Sequence, residues 1–277
     1  MTFDINNMAI RNDVFGFTKT PFRRASSKAY LNESRQDYLQ EMKAFCARRG
    51  IAAIAGESGV GKTAFMRYFT EELPKNNNKI IYNPFTNSSD NDLLRSLCSA
   101  FDIDPFFHRN KTIAALQQRI RELGAMNPIV ILDETQNASH KLLETVRLLT
   151  NDEFDSRNYL SLILIGTENL FRELKKKINE SLRQRITLYC RITALTEIES
   201  NEYIRHCLRD AGVEHEIFKE ESLKFIHDIA LGRMRIINNL AGAALEQASR
   251  DTSPTVELKH LQYAEKICSL PPPEINR

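Results

Sequence analysis

At 277 residues, with 42% apolar residues and a formal net charge of +2, the chain is long enough for one large or two modest cores and carries no strongly basic arm. Its longest apolar run, Leu160 to Ile165, is far too short for a bilayer span, and Met1-Thr2-Phe3-Asp4 has neither part of a signal peptide, so a cytoplasmic protein without membrane insertion is expected. The five cysteines form no C-x-x-C and the six histidines no metal-binding spacing, which points to reduced, mostly buried thiols and to no zinc.

In chain order, the stretch from Val14 to Asn32 has no acid, while Lys19, Arg23, Arg24 and Lys28 are basic. A polyanion should meet this region and avoid the acid-rich stretch Glu197 to Glu221, unless both are simply solvated faces. The first apolar run, Ile51–Ala55, leads directly into Gly56-Glu57-Ser58-Gly59-Val60-Gly61-Lys62-Thr63, the pattern G-x-x-x-x-G-K-T. Glycines at these places let the backbone curl so that successive N–H groups face phosphate oxygens. Lys62 reaches the β- and γ-phosphates and the Thr63 hydroxyl takes one position on Mg²⁺. The next segment, Ala64 to Leu73, continues as a helix whose N-terminal end favours the same anion. The pattern implies a bound nucleoside triphosphate, ATP, together with Mg²⁺.

Further apolar runs at Lys79–Tyr82, Ile129–Leu132 and Leu160–Ile165 lack in/out alternation, as expected of parallel strands covered on both faces. A fifth, Thr187 to Ile192, alternates and suits an edge. Between them lie helical stripes: Leu93, Leu94, Leu97 and Phe101 behind Asp90 as N-cap, then Ile113 to Leu123, then Leu142 to Leu149. The alternation predicts an α/β domain with a parallel five-stranded sheet between helices and its ligand at the carboxyl ends of the strands. After Ala194 the pattern is helical only, ending with a helix around Leu258–Ile267 before Pro271-Pro272-Pro273. The expected divisions are an arm at 1–34, a core at 35–193, a helical lid at 194–270 and a tail at 271–277.

Ile129-Val130-Ile131-Leu132-Asp133-Glu134 is an apolar strand ending in two acids, an expensive arrangement unless a cation or water network awaits them. Asp133 is placed to hold Mg²⁺ through its water shell. Glu134, one residue on, is placed to polarise an attacking water.

The G-x-x-x-x-G-K-T loop, the strand ending Asp133-Glu134-Thr135-Gln136, the strand ending Gly166-Thr167-Glu168-Asn169-Leu170, and Gly232-Arg233-Met234-Arg235 occur in the order of a AAA+ ATPase. The chain resembles more closely the ExeA-type ATPases and the TnsC/MuB-like ATPases that partner transposases. Phe15-Gly16-Phe17-x-x-x-Pro21-Phe22, Leu182-Arg183-Gln184-Arg185-Ile186 and the segment from Leu195-Thr196 to Ala211-Gly212 fit the same likeness, which spans about residues 14–268.

The resemblance implies further roles. Thr167 matches the sensor-1 position, with Asn169 a lesser candidate. Asn83 matches the polar switch that restrains Glu134, or is a turn-starting residue before Pro84. Arg235 matches sensor 2. Arg185, with Arg183 as runner-up, matches the arginine finger that completes a neighbouring subunit's site, or is a surface ion-pair partner. Residues Phe17 to Phe22 would border the adenine, or simply pack in the core. ExeA-type ATPases continue into a membrane segment, and this chain stops after its last lid helix, so the expectation leans to transposition. ATP would drive a ring or helical oligomer onto duplex DNA without sequence preference, alongside a transposase or integrase. Arg109, Lys111 and Thr112 would touch the backbone, unless Arg109 and Lys111 belong to a solvated loop. The alternative is an ExeA-type subunit of a secretion or envelope assembly that acts on protein.

Overall fold

The computed structural model describes residues 12–23, 29–84, 89–150 and 158–268. Its described residues form two compact units, one from 33–57 and 65–192, the other from 1–32, 58–64 and 193–277.

The first unit is built on a sheet of five parallel strands in the order β2-β3-β4-β1-β5. The strands are β1 (Gly50–Ala55), β2 (Asn78–Pro84), β3 (Asn127–Asp133), β4 (Ser161–Gly166) and β5 (Ile186–Arg191). Every residue of β1, β3 and β4 is buried, which is why these segments read as mostly apolar runs without in/out alternation. The two outer strands are half-exposed. That is the expected place for β5. For β2 it corrects the expectation of cover on both faces, since Ile80 and Tyr82 are exposed at the sheet edge.

Helix α1 (Glu33–Arg48) precedes β1, and α2 (Lys62–Glu71), α3 (Asp90–Ala100), α4 (Arg109–Glu122), α5 (His140–Thr150) and α6 (Glu168–Lys175) intervene between the strands. The predicted stripes fill the core: Leu93, Leu97, Leu116 and Val146 pack in one cluster with Ile51, Leu132 and Leu162. The N-cap of α3 is Ser89, not Asp90. The Ser89 hydroxyl accepts from the Asp92 amide, and the Asp92 carboxylate accepts from the Ser89 amide. Asp90 sits one residue inside, buried, with its carboxylate 3.2 Å from both Arg109 Nε and Lys141 Nζ.

The second unit contains α7 (Glu197–Asp210), α8 (Glu220–Ala230), α9 (Met234–Arg250) and α10 (Leu258–Cys268). Thr196 and Glu199 form a capping box at the start of α7. Phe15, Phe17 and Phe22 join Leu195, Ile204, Ile226, Ile237 and Leu261 in its core. The aromatic arm is thus part of this core, the packing role that the sequence left open beside the adenine border. The Thr18 amide donates to the Ala211 carbonyl at 2.9 Å. Lys19 pairs at 2.8 Å with the buried carboxylate of Asp210. The basic arm and the acid-rich stretch thus meet each other at this point, which corrects the reading of Lys19 as a polyanion contact. Arg24 and Lys28 lie outside the described residues.

Gly232 has φ +71, and a Cβ there would lie 1.9 Å from the Leu195 carbonyl oxygen. No side chain fits where these two backbones cross. Among the described residues no helix is long and apolar enough to cross a membrane.

Candidate functional site

Because all five strands are parallel, their carboxyl ends share one edge of the sheet. Three adjacent strands, β3, β4 and β1, end there in chemistry-bearing residues: Asp133 and Glu134 from β3, Thr167 from β4, and the Gly56–Thr63 loop by chain connectivity from β1.

The loop needs its glycines. Gly59 has φ +85 and Gly61 φ +100, a region that other residues enter at a cost. Gly59 is also crowded, since a Cβ would sit 3.1 Å from Arg235 Cβ. The Arg235 amide donates to the Gly59 carbonyl at 3.0 Å, and Arg235 Nη1 donates to the Ser58 hydroxyl at 3.3 Å. The first turn of α9 is therefore fastened to the Gly56–Thr63 loop, which puts Arg235, the residue matched to sensor 2, on that loop. Lys62, at the first turn of α2, is buried, whereas Thr63 and Ala64 beside it are exposed.

At the end of β3, Asp133 is buried and both of its oxygens are engaged. Oδ2 accepts from the Tyr82 hydroxyl at 2.8 Å, and Oδ1 accepts from the Glu134 amide at 2.8 Å. Tyr82 pairs with Ile131 across β2 and β3, two residues before Asp133, so the two side chains share one face of the sheet. Burial, followed by the hydrogen bond to Asp133 and the charges of Asp133 and Glu134, pushes the Tyr82 phenol up to about 12. It remains a donor throughout the neutral range. Tyr82 carried no role in the sequence, where it is only an aromatic ending an apolar run; its place beside the acids comes from the pairing of β2 with β3.

Glu134 turns out of the strand with φ +59, and its side chain is exposed. Its Oε2 accepts from Gln136 Nε2 at 2.7 Å. The residue expected to restrain Glu134, Asn83, instead donates to the Ser96 hydroxyl at 3.1 Å. Of the sensor-1 candidates, Thr167 donates its amide to Gln136 Oε1 at 3.1 Å, and its hydroxyl takes no part in capping α6. Asn169 accepts from Arg172 at 3.0 Å.

The finger candidates flank the approach to β5. Arg183 is exposed, 3.9 Å from Glu180, while Arg185 is half-buried with its amide bonded to the Leu182 carbonyl. The three DNA-contact candidates are not a loop, because α4 begins at Arg109. Thr112 is buried, and its hydroxyl bonds to the Phe106 backbone. Arg109 is ion-paired with Asp90, and its Nη2 donates to the Thr145 hydroxyl at 2.7 Å. Both are tied into structure, which corrects their assignment; only Lys111 is exposed.

Residues 46–174 match the family described as "AAA domain". The chain is 28% identical over 240 residues to General secretion pathway protein A of Aeromonas hydrophila, a match covering 83% of this chain and 43% of that protein. It thus spans less than half the length of this curated relative. Among solved structures it resembles Cdc6p from Pyrobaculum aerophilum, with a TM-score of 0.74 at 17% identity, covering 94% of this chain and 72% of that one. The fold is that of a AAA+ P-loop protein. A second likeness, with a TM-score of 0.67 at 17% identity, is to the Aeropyrum pernix ORC1 protein in complex with DNA, covering 89% of this chain and 68% of that one. These likenesses extend past the sheet into the helical unit, beyond the 46–174 match.

Proposed function

We propose that this protein is a Mg²⁺-dependent ATPase whose hydrolysis controls assembly on duplex DNA and, through it, a transposase. The observation that carries the hydrolytic part is the end of β3: a buried Asp133 fastened by Tyr82, followed by an exposed Glu134 whose carboxylate is held on one oxygen. Gly56, Glu57, Ser58, Gly59, Val60, Gly61 and Ala64 frame the phosphates and Lys62 neutralises their charge. The donor set, a hydroxyl on Thr63 and a carboxylate on Asp133, suits a hard cation, which supplies charge neutralisation on the phosphate oxygens when bound.

Glu134 takes the proton of a water as its oxygen bonds to the γ-phosphorus. The bond from that phosphorus to the bridging oxygen breaks, and ADP and phosphate leave. Thr167 and Arg235 read the γ-phosphate. Arg185, or Arg183, from a neighbouring copy offsets charge on the transferring group.

For the load, the TnsC/MuB-like resemblance and the likeness to an ORC1 protein solved with DNA support the DNA reading. Binding by charge to the phosphate backbone should weaken steeply with salt. Fluorescence anisotropy of labelled duplex with a slowly hydrolysed ATP analogue at low salt tests it. ATP-dependent binding is the expected result, and none with any nucleotide contradicts it.

General secretion pathway protein A favours a second reading, a subunit of a secretion or envelope assembly that acts on protein. Under that reading turnover responds to a protein partner and ignores DNA.

A further inference from the structure

Between Glu134 and Thr167 stands Gln136, which closes the Asp133-Glu134-Thr135-Gln136 stretch and has no role of its own in the site read so far. Gln136 lies in the short turn Thr135–Asn137 that follows β3. Its Nε2 donates to Glu134 Oε2 at 2.7 Å and its Oε1 accepts from the Thr167 amide at 3.1 Å. The orientation of this carboxamide is fixed by its partners, since an N–H only donates and an ionised carboxylate only accepts. A flipped amide would face both with the wrong group.

Two further contacts build the place. The Thr135 hydroxyl donates to the Ile165 carbonyl at 2.8 Å and is buried, which fastens the turn to β4. A Cβ on Gly166 would lie 2.8 Å from Gln136 Oε1 and 3.1 Å from the Gln136 amide nitrogen. The end of β4 thus carries no side chain at the point where the Gln136 carboxamide sits.

We propose that Gln136 is a positioning residue that anchors one oxygen of the Glu134 carboxylate to the end of β4 and leaves the other oxygen to meet water. An exposed glutamate on a left-handed residue has several rotamers to choose from. The Gln136 bond selects one, and the Thr167 amide fixes Gln136 in turn. The general base and the matched γ-phosphate sensor are therefore joined through a single amide. This inference rests on the reading of Glu134 as the base.

The test is a double-mutant cycle on steady-state ATP turnover. Gln136→Met keeps the length of the side chain and removes both hydrogen bonds. It should lower kcat about tenfold with KM for ATP unchanged, and change the residual rate of Glu134→Gln less than twofold, because the group it positions is already gone. Gln136→Glu, which cannot donate to a carboxylate, should lose more than Gln136→Met. Equal losses from Gln136→Met in both backgrounds would mean a structural role and overturn the proposal, as would full activity of either Gln136 variant. If Glu134→Gln itself turns over like the unsubstituted protein, the reading of the base falls and this inference with it. A slow Glu134→Gln beside an indifferent Gln136 overturns this inference alone.

Discussion

Lys62, Asp133 and Glu134 each carry a separable part of the proposed chemistry, so their substitutions should separate as well. Lys62→Ala removes a charge-assisted contact to phosphate and should weaken nucleotide binding about 10- to 100-fold, measurable by calorimetry. Glu134→Gln keeps the shape and loses the base; it should bind nucleotide normally and turn over about a hundredfold or more slower. Tyr82→Phe removes one of the two donors to Asp133 and should raise the Mg²⁺ concentration needed for half-maximal turnover. Cys46, Cys190 and Cys207 are pushed up to about 12, chiefly by burial. Unfolded thiols ionise near pH 9, so the stability these residues contribute is complete below that pH and drains away as pH rises toward 12. Chemical denaturation between pH 8 and 11 should show stability falling, and replacing all three with Ala or Ser should flatten that fall.

The elements were legible to the degree that their burial was uniform. Strands β1, β3 and β4 are covered on both faces, so the apolar run and the strand coincide. Strand β2 carries a similar run yet lies at the sheet edge, because strand order is a property of the assembled sheet. The same limit hid Gln136: its partner Thr167 lies 31 residues away and becomes a neighbour only once β4 pairs with β3. By contrast, the readings of Lys62, Asp133 and Glu134 rest on local signals that need no strand order. The partners of Arg109 and Thr112 were out of sight for a related reason, since Asp90, Thr145 and the Phe106 backbone meet them only in the folded chain. Arg109→Ala should leave the buried Asp90 with Lys141 alone and cost about 1–3 kcal/mol, read as a lower midpoint in urea. Lys111→Ala should leave stability unchanged and, if DNA is the load, weaken its binding. Gly232→Ala should prevent proper folding of the helical unit, because the added carbon meets backbone rather than a movable side chain.

At the scale of the whole molecule, the AAA+ fold holds Arg235 on Ser58 and Gly59 within one unit and carries Asp133 and Glu134 at the end of a sheet strand in the other. If Arg185 completes the site of a neighbouring copy, two inactive variants should rescue each other. Arg185→Ala keeps an intact nucleotide site, Lys62→Ala keeps an intact finger, and their mixture should regain part of the turnover that neither shows alone. Recovery with Arg183→Ala in place of Arg185→Ala would move the role to Arg183. The central claim is that Glu134 drives hydrolysis of an ATP that the Gly56–Thr63 loop holds. Its most direct test is a single-turnover measurement of phosphate release from ATP and Mg²⁺, comparing the unsubstituted protein with Glu134→Gln at saturating protein. The account expects rapid release from the former and retained, unhydrolysed ATP on the latter. Equal release rates from both proteins would contradict it.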